Sequence, residues 1–124
     1  MKKIITADVM SAFLALSAGA SADPVTAVFT CKLNDGKTKE DAMAVNAKWL
    51  KWARATAGTD AITSSYIETV VGDIGGFMWV DTYPSAAAWA KIADADAPFD
   101  EAFDALSTCS GNRLLRATPT EAAK

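Results

Sequence analysis

The sequence predicts an α+β domain with the element order β-α-β-β-α-β: a four-stranded antiparallel sheet with helices on one face, the ferredoxin-like arrangement. Three observations lead there. Residues 25–33 and 77–83 alternate with the period of two expected of half-buried strands, and residues 39–57 repeat with the 3.6-residue period of an amphipathic helix. The third is the placement of the only two cysteines, Cys31 and Cys109, at the expected end of the first strand and start of the last. This arrangement sets those two places side by side.

Residues 1–22 read as an export signal, with Lys2 and Lys3 at the start, an apolar run from Val9 to Leu16, and Ala20-Ser21-Ala22 as a small-x-small cleavage site. Cleavage after Ala20 is the alternative, and the run is shorter than the ~20 apolar residues of a membrane anchor. The expectation is therefore a periplasmic or secreted protein, with residues 23–124 forming a single α+β domain that buries roughly two-thirds of its unfolded surface. In an oxidising compartment an isolated cysteine pair forms a disulfide, Cys31 to Cys109; two reduced, buried cysteines are the alternative. Their spacing excludes a CxxC redox motif.

Charge and composition exclude several functions. The chain holds 12 Lys+Arg against 15 Asp+Glu, and removal of Lys2, Lys3 and Asp8 with the signal leaves ten against fourteen. Lys48, Lys51 and Arg54 are the only basic stripe, so nucleic-acid binding lacks the electrostatic attraction that dominates its affinity. Histidine is absent. Ser-His-Asp and Cys-His catalysis and His-ligated zinc or haem all need an imidazole, so none is available. Neither a metal nor another cofactor is implied.

The first strand, Val25–Leu33, sets Val25, Ala27, Phe29, Cys31 and Leu33 on one side, and Asn34-Asp35-Gly36 stops it. Thr38 with Asp41 resembles a capping box opening the helix over Lys39 to Ala57. Its apolar face carries Ala42, Met43, Val45, Trp49, Leu50, Trp52 and Ala53, with Asn46 inside that sector. Gly58 ends it. Ala61 to Val71 is β-rich in composition, the glycines of residues 72–76 suit a hairpin, and Phe77 to Tyr83 is the returning strand. Pro84 closes that strand and Ser85 caps a helix through Asp94; Asp96 looks like the cap of a further helical piece to about Thr108. Gly111 is expected to break it, leaving Arg113 to Thr118 as the last short strand.

A single domain of this order is similar to the dimeric α+β barrel superfamily, which includes the antibiotic-biosynthesis-type monooxygenases. The likeness covers residues 25–118: a glycine hairpin, the strand Gly76-Phe77-Met78-Trp79-Val80-Asp81-Thr82-Tyr83, and a Pro84-Ser85-Ala86 helix start with Trp89. It implies two sheets meeting face to face in a homodimer, with a pocket between sheet and helices in each subunit. The apolar residues on both faces of the predicted sheet point to the same homodimer. Some oxygenases of the superfamily work without a cofactor, with Asn and Trp lining an apolar pocket where an electron-rich substrate carbanion meets oxygen.

These considerations single out Asn46, Trp49, Tyr66 and Trp79 as ligand-binding candidates and Asn46, Tyr66 and Asp81 as catalytic ones. Asn46 has a structural alternative, a hydrogen bond to a loop backbone. For Asp81 the alternatives are a base with a raised pKa, because it shares a strand face with Trp79 and Tyr83, or an ion pair with Arg113, for which Glu68 competes. The acids Asp94, Asp96, Asp100, Glu101 and Asp104 lack the glycine and spacing of a calcium loop and suit helix N-termini instead. The sequence thus reads as an exported pocket protein binding an apolar or aromatic small molecule; the alternative is a cofactor-free monooxygenase-like or isomerase-like enzyme acting on an aromatic or enolisable substrate.

Overall fold

A computed structural model describes residues 23–124; the export signal expected over residues 1–22 lies outside the described residues. The elements run β1 (Val25–Leu33), α1 (Lys39–Ala57), β2 (Thr63–Glu68), β3 (Phe77–Tyr83), α2 (Ala86–Ala93), α3 (Asp100–Leu106) and β4 (Ser107–Leu115). The strands form one antiparallel sheet in the order β2-β3-β1-β4, the ferredoxin-like topology. No described helix is long and apolar enough to cross a membrane.

Strand pairing fixes the floor on which everything else sits. On the helix-covered face, Val25, Ala27, Phe29 and Cys31 of β1 lie opposite Tyr83, Asp81, Trp79 and Phe77 of β3. Because side chains alternate between faces, all four of these β3 residues are buried while Met78, Val80 and Thr82 between them are only half-buried. The rows extend outward, so that Leu114, Ala27, Asp81 and Ser64 make one line across the four strands.

The helix α1 begins with the expected capping box: Thr38 Oγ1 accepts from the Asp41 N–H at 3.2 Å, and the Thr38 N–H donates to Asp41 Oδ2 at 3.0 Å. It ends at Gly58, whose φ of 72° lies in the left-handed region that disfavours any residue with a Cβ. Ala42, Ala53 and Ala57 are its buried residues, small enough for the helix to lie close to its neighbours. Met43, expected on the apolar face, is half exposed.

Five boundaries depart from expectation. The strand β2 stops at Glu68, and Val70 and Val71 lie fully in the solvent-facing hairpin loop, where β-rich composition finds no partner strand. Asp96 caps nothing: α3 starts after Phe99 without a side-chain cap. That helix also ends earlier than its periodicity suggests. Asn34, just after β1, donates from Nδ2 to the Asp104 and Ala105 carbonyls at 2.9 and 3.1 Å, and its N–H donates to the Leu106 carbonyl at 2.9 Å. With those carbonyls satisfied from outside the helix, the chain turns directly into β4 at Ser107. The last strand therefore starts six residues before Arg113 and ends at Leu115, with Gly111 inside it. A register shift between Thr30 and Cys31 absorbs Ser110, and Gly111 lies against the Thr30 side chain.

Cys31 and Cys109 are cross-strand partners in β1 and β4 and form a disulfide, with Cα atoms 3.9 Å apart. This is closer than the ~5.5 Å typical of the bond and near the spacing of a narrow antiparallel pair. Alkylation of the unfolded, unreduced protein is expected to find no thiol. Cys109→Ser should lower the free energy of unfolding by up to about 4 kcal/mol in denaturant titrations, since the bond closes a loop of 78 positions; labelling of both cysteines before reduction would exclude the bond.

Candidate functional site

Between the sheet and the three helices lies a cavity of about 770 Å³. Its floor is the buried face of β1, β3 and β4, including Ala27, Phe29, Trp79, Asp81 and Leu114. Asn46 and Trp49 reach it from α1, Trp89 and Ile92 from α2, and Phe99 and Phe103 from the start and middle of α3. The space exists because the second helical layer is two short helices joined by residues 94–99, and because Ala27, Ala93 and Ala97 put only methyl groups into it. A second depression, about 520 Å³, runs along the C-terminal half of α1 and carries Lys51, Arg54 and Asp60 but no aromatic ring.

Asp81 is the polar centre of the larger cavity. It is only 5 % exposed and sits in the β3 row between Trp79 and Tyr83. The Ser64 hydroxyl, next to it across β2, donates to Asp81 Oδ1 at 2.5 Å, and the Asn46 amide donates to Ser64 Oγ at 2.8 Å. Asp81 Oδ2 has no hydrogen-bond partner among the described residues. Burial pushes the Asp81 carboxyl up to about 6, against the Ser64 bond, which acts the other way. Burial, with the Asp81 charge beside it, also raises the Tyr83 phenol well above its usual range.

Of the residues singled out from sequence, Asn46, Trp49, Trp79 and Asp81 meet at this cavity and Tyr66 does not. Tyr66 lies in the β2 row outside it, stacked on Phe77 with centroids 4.3 Å apart and set edge-on to Trp79, with Lys39 Nζ 5.6 Å from its ring centre. It stands apart from the cavity although alternation puts it on the same face of the sheet, because β2 is an edge strand. Asp81 is not paired with Arg113, which points from the opposite face beside Val28; Glu68 pairs with Lys39 instead. Asn46 bonds a side chain rather than a loop backbone.

Sequence reasoning missed Ser64, Trp89, Phe99 and Phe103. Ser64 was findable in principle, because it shares the alternation of Tyr66 two residues on. The indole Nε1 of Trp79 is buried without a hydrogen-bond partner among the described residues, although its ring packs edge-on against Tyr66, Phe77 and Phe103.

No family model matches the chain, and no curated protein does. Among solved structures the fold is similar to that of SnoaB, a cofactor-independent oxygenase from Streptomyces nogalater, with a TM-score of 0.60 at 17% identity over 80% of this chain and 97% of that one. The likeness establishes a shared fold, the ferredoxin-like α+β arrangement expected from the sequence.

The Asp81 pKa makes a signed expectation. The folded state holds this proton more tightly than the unfolded chain, so the group's contribution to stability is greatest below about pH 4 and is lost as pH rises through about 6. Asp81→Asn removes that loss. The variant should be about 3 kcal/mol more stable than the parent at pH 7.5 and close to it at pH 4, by denaturant unfolding; a difference independent of pH would show that Asp81 is not buried as an acid.

Proposed function

We propose that the protein is an exported, homodimeric binding protein whose cavity takes an apolar or aromatic small molecule. The cavity itself carries the reading: some 770 Å³ walled by indole and phenyl rings, with a few polar atoms gathered at Asp81. Such a balance of apolar wall and sparse, placed polar groups is that of a small-molecule site. The polar groups are held by strand pairing and by the Asn46–Ser64–Asp81 chain, so they are in place before a ligand arrives. Export is supported by the Cys31–Cys109 bond, which an oxidising compartment sustains.

The dimer is supported by the other face of the sheet. Val28, Ile67, Met78, Val80 and Leu115 lie there beside Thr26 and Thr82; Val28 is buried among its neighbours, and Met78 and Val80 are half-buried. Ile67 and Leu115 are well exposed. A second copy of the same face would bury both sheets, the arrangement implied by the superfamily resemblance.

The buried carboxylate favours one further reading, a cofactor-free oxygenase-like or isomerase-like enzyme. A carboxyl with a pKa near 6 is largely ionised at neutral pH and basic enough to take a proton from an enolisable or phenolic substrate. The similar structure of SnoaB, itself a cofactor-independent oxygenase, supports the same direction. Asn46 holds Ser64, and through it the orientation of Asp81.

A naphthalene-type probe is expected to quench tryptophan fluorescence on binding, and Trp49→Ala should weaken it by about 1 to 3 kcal/mol through lost stacking and apolar area. Asn46→Ala separates the two readings. In a binding protein it costs about 1 kcal/mol of affinity; in an enzyme it depresses turnover more than binding, because the base loses its alignment as charge develops. A variant that only melts earlier would make Asn46 structural. Light scattering at micromolar concentration should give twice the chain mass, and Val80→Glu on the outer face should halve it while leaving probe binding in place; a monomeric parent would remove the dimer.

A further inference from the structure

The charges around the cavity are of one sign. Asp81 lies at its floor, Asp100 and Asp104 stand four residues apart on α3 at its solvent-exposed side, and among the described residues no lysine or arginine lines it. Histidine is absent from the chain. Oδ1 of Asp81 is taken by Ser64, whereas Oδ2 lacks a partner. That oxygen opens to the cavity, and among the described residues no cationic side chain lines the cavity to offset its charge. The same cavity is lined by Phe29, Trp49, Trp79, Trp89, Phe99 and Phe103.

Taking the cavity as the binding site proposed above, we infer that its ligand is a hydrophobic organic cation, an amine or quaternary ammonium on an aromatic or apolar body. Each wall component then has a partner. An ammonium N–H donates to Asp81 Oδ2 in a charge-assisted bond, and the indole and phenyl faces attract the positive charge through their quadrupoles. A quaternary centre keeps the attraction to the rings and to the Asp81 charge without the hydrogen bond. Asp100 and Asp104 extend the negative potential to the mouth, where low-dielectric walls concentrate it and draw cations in. Aromatic carboxylates of equal size meet three like charges and are turned away.

Three probes of one shape decide the matter: 2-naphthalenemethylamine, 2-naphthalenemethanol and 2-naphthoate, titrated into the full folded protein at pH 7.5 and followed by tryptophan fluorescence and calorimetry. The amine is expected to bind at least roughly tenfold tighter than the alcohol, because its ammonium adds charge attraction to the carboxylate and the rings that a hydroxyl lacks, with the carboxylate weakest. Asp81→Asn should erase the advantage of the amine, bringing the ratio of the amine and alcohol Kd values to within about twofold, while Asn still accepts from Ser64. Should that variant fail to fold, the pair Asp100→Asn and Asp104→Asn, both on the solvent-exposed side of α3, gives a second readout. It should weaken the amine several-fold relative to the alcohol, in its association rate above all. An alcohol or carboxylate that binds as well as the amine overturns the cationic ligand while the cavity stands as a binding site. If none of the three binds, the binding-site reading itself is overturned.

Discussion

The rest of the structure depends on one carboxylate placed where a sheet's core face would ordinarily be apolar. The alternation of β3 leaves Asp81 no choice of side: Phe77, Trp79 and Tyr83 must face the helices, and Asp81 faces them too. Packing helices tightly over it would strand a charge in hydrocarbon at a cost of several kcal/mol. The fold avoids this in two ways at once. Ser64 solvates one oxygen from the neighbouring strand, and the cavity leaves the other in contact with whatever enters. The cavity and the acid thus require each other, since an apolar residue at position 81 would favour collapse of the space and a closed core would expel the charge.

Small side chains keep that space open. Ala27 is the β1 partner of Asp81, so the residue nearest the carboxylate across the strands contributes only a methyl group. The buried core beside it is likewise rich in alanine, at Ala53, Ala57 and Ala88, and its volume comes from Val25, Ile62 and Tyr83. The large rings of Trp49, Trp89 and Phe103 are only partly buried, because they edge an opening rather than fill a centre. Hydrophobic burial here shapes a wall as much as it stabilises a fold.

What could be read from the sequence was what local periodicity and short-range chemistry determine. The bounds of β1, α1 and β3, the Thr38–Asp41 capping box and the Ser85 cap all follow from neighbours within a few residues, and the cysteine pairing followed from topology. What escaped depends on partners distant in the chain. The end of α3 is set by Asn34, about seventy residues earlier, and β4 begins where Asn34 ends that helix. Gly111 looks like a breaker in one dimension and is a strand residue beside Thr30 in three. Tyr66 and Ser64 share a face two residues apart, yet only Ser64 lies in the row of Asp81, and that difference is a matter of cross-strand register.

The disulfide also changes what the chain is as a covalent object. A bond between positions 31 and 109 turns α1, β2, β3, α2, α3 and every loop joining them into a single closed ring, with two short tails formed by the rest of β1 and β4. A peptide bond hydrolysed anywhere in that ring opens the circle without releasing a fragment. The loop between β2 and β3, with Val70, Val71 and Ile74 displayed to solvent, is the place a protease meets first. A molecule cut there remains one covalent piece, its strands still in register and its cavity still walled, so a single nick is a scar and not a dissection.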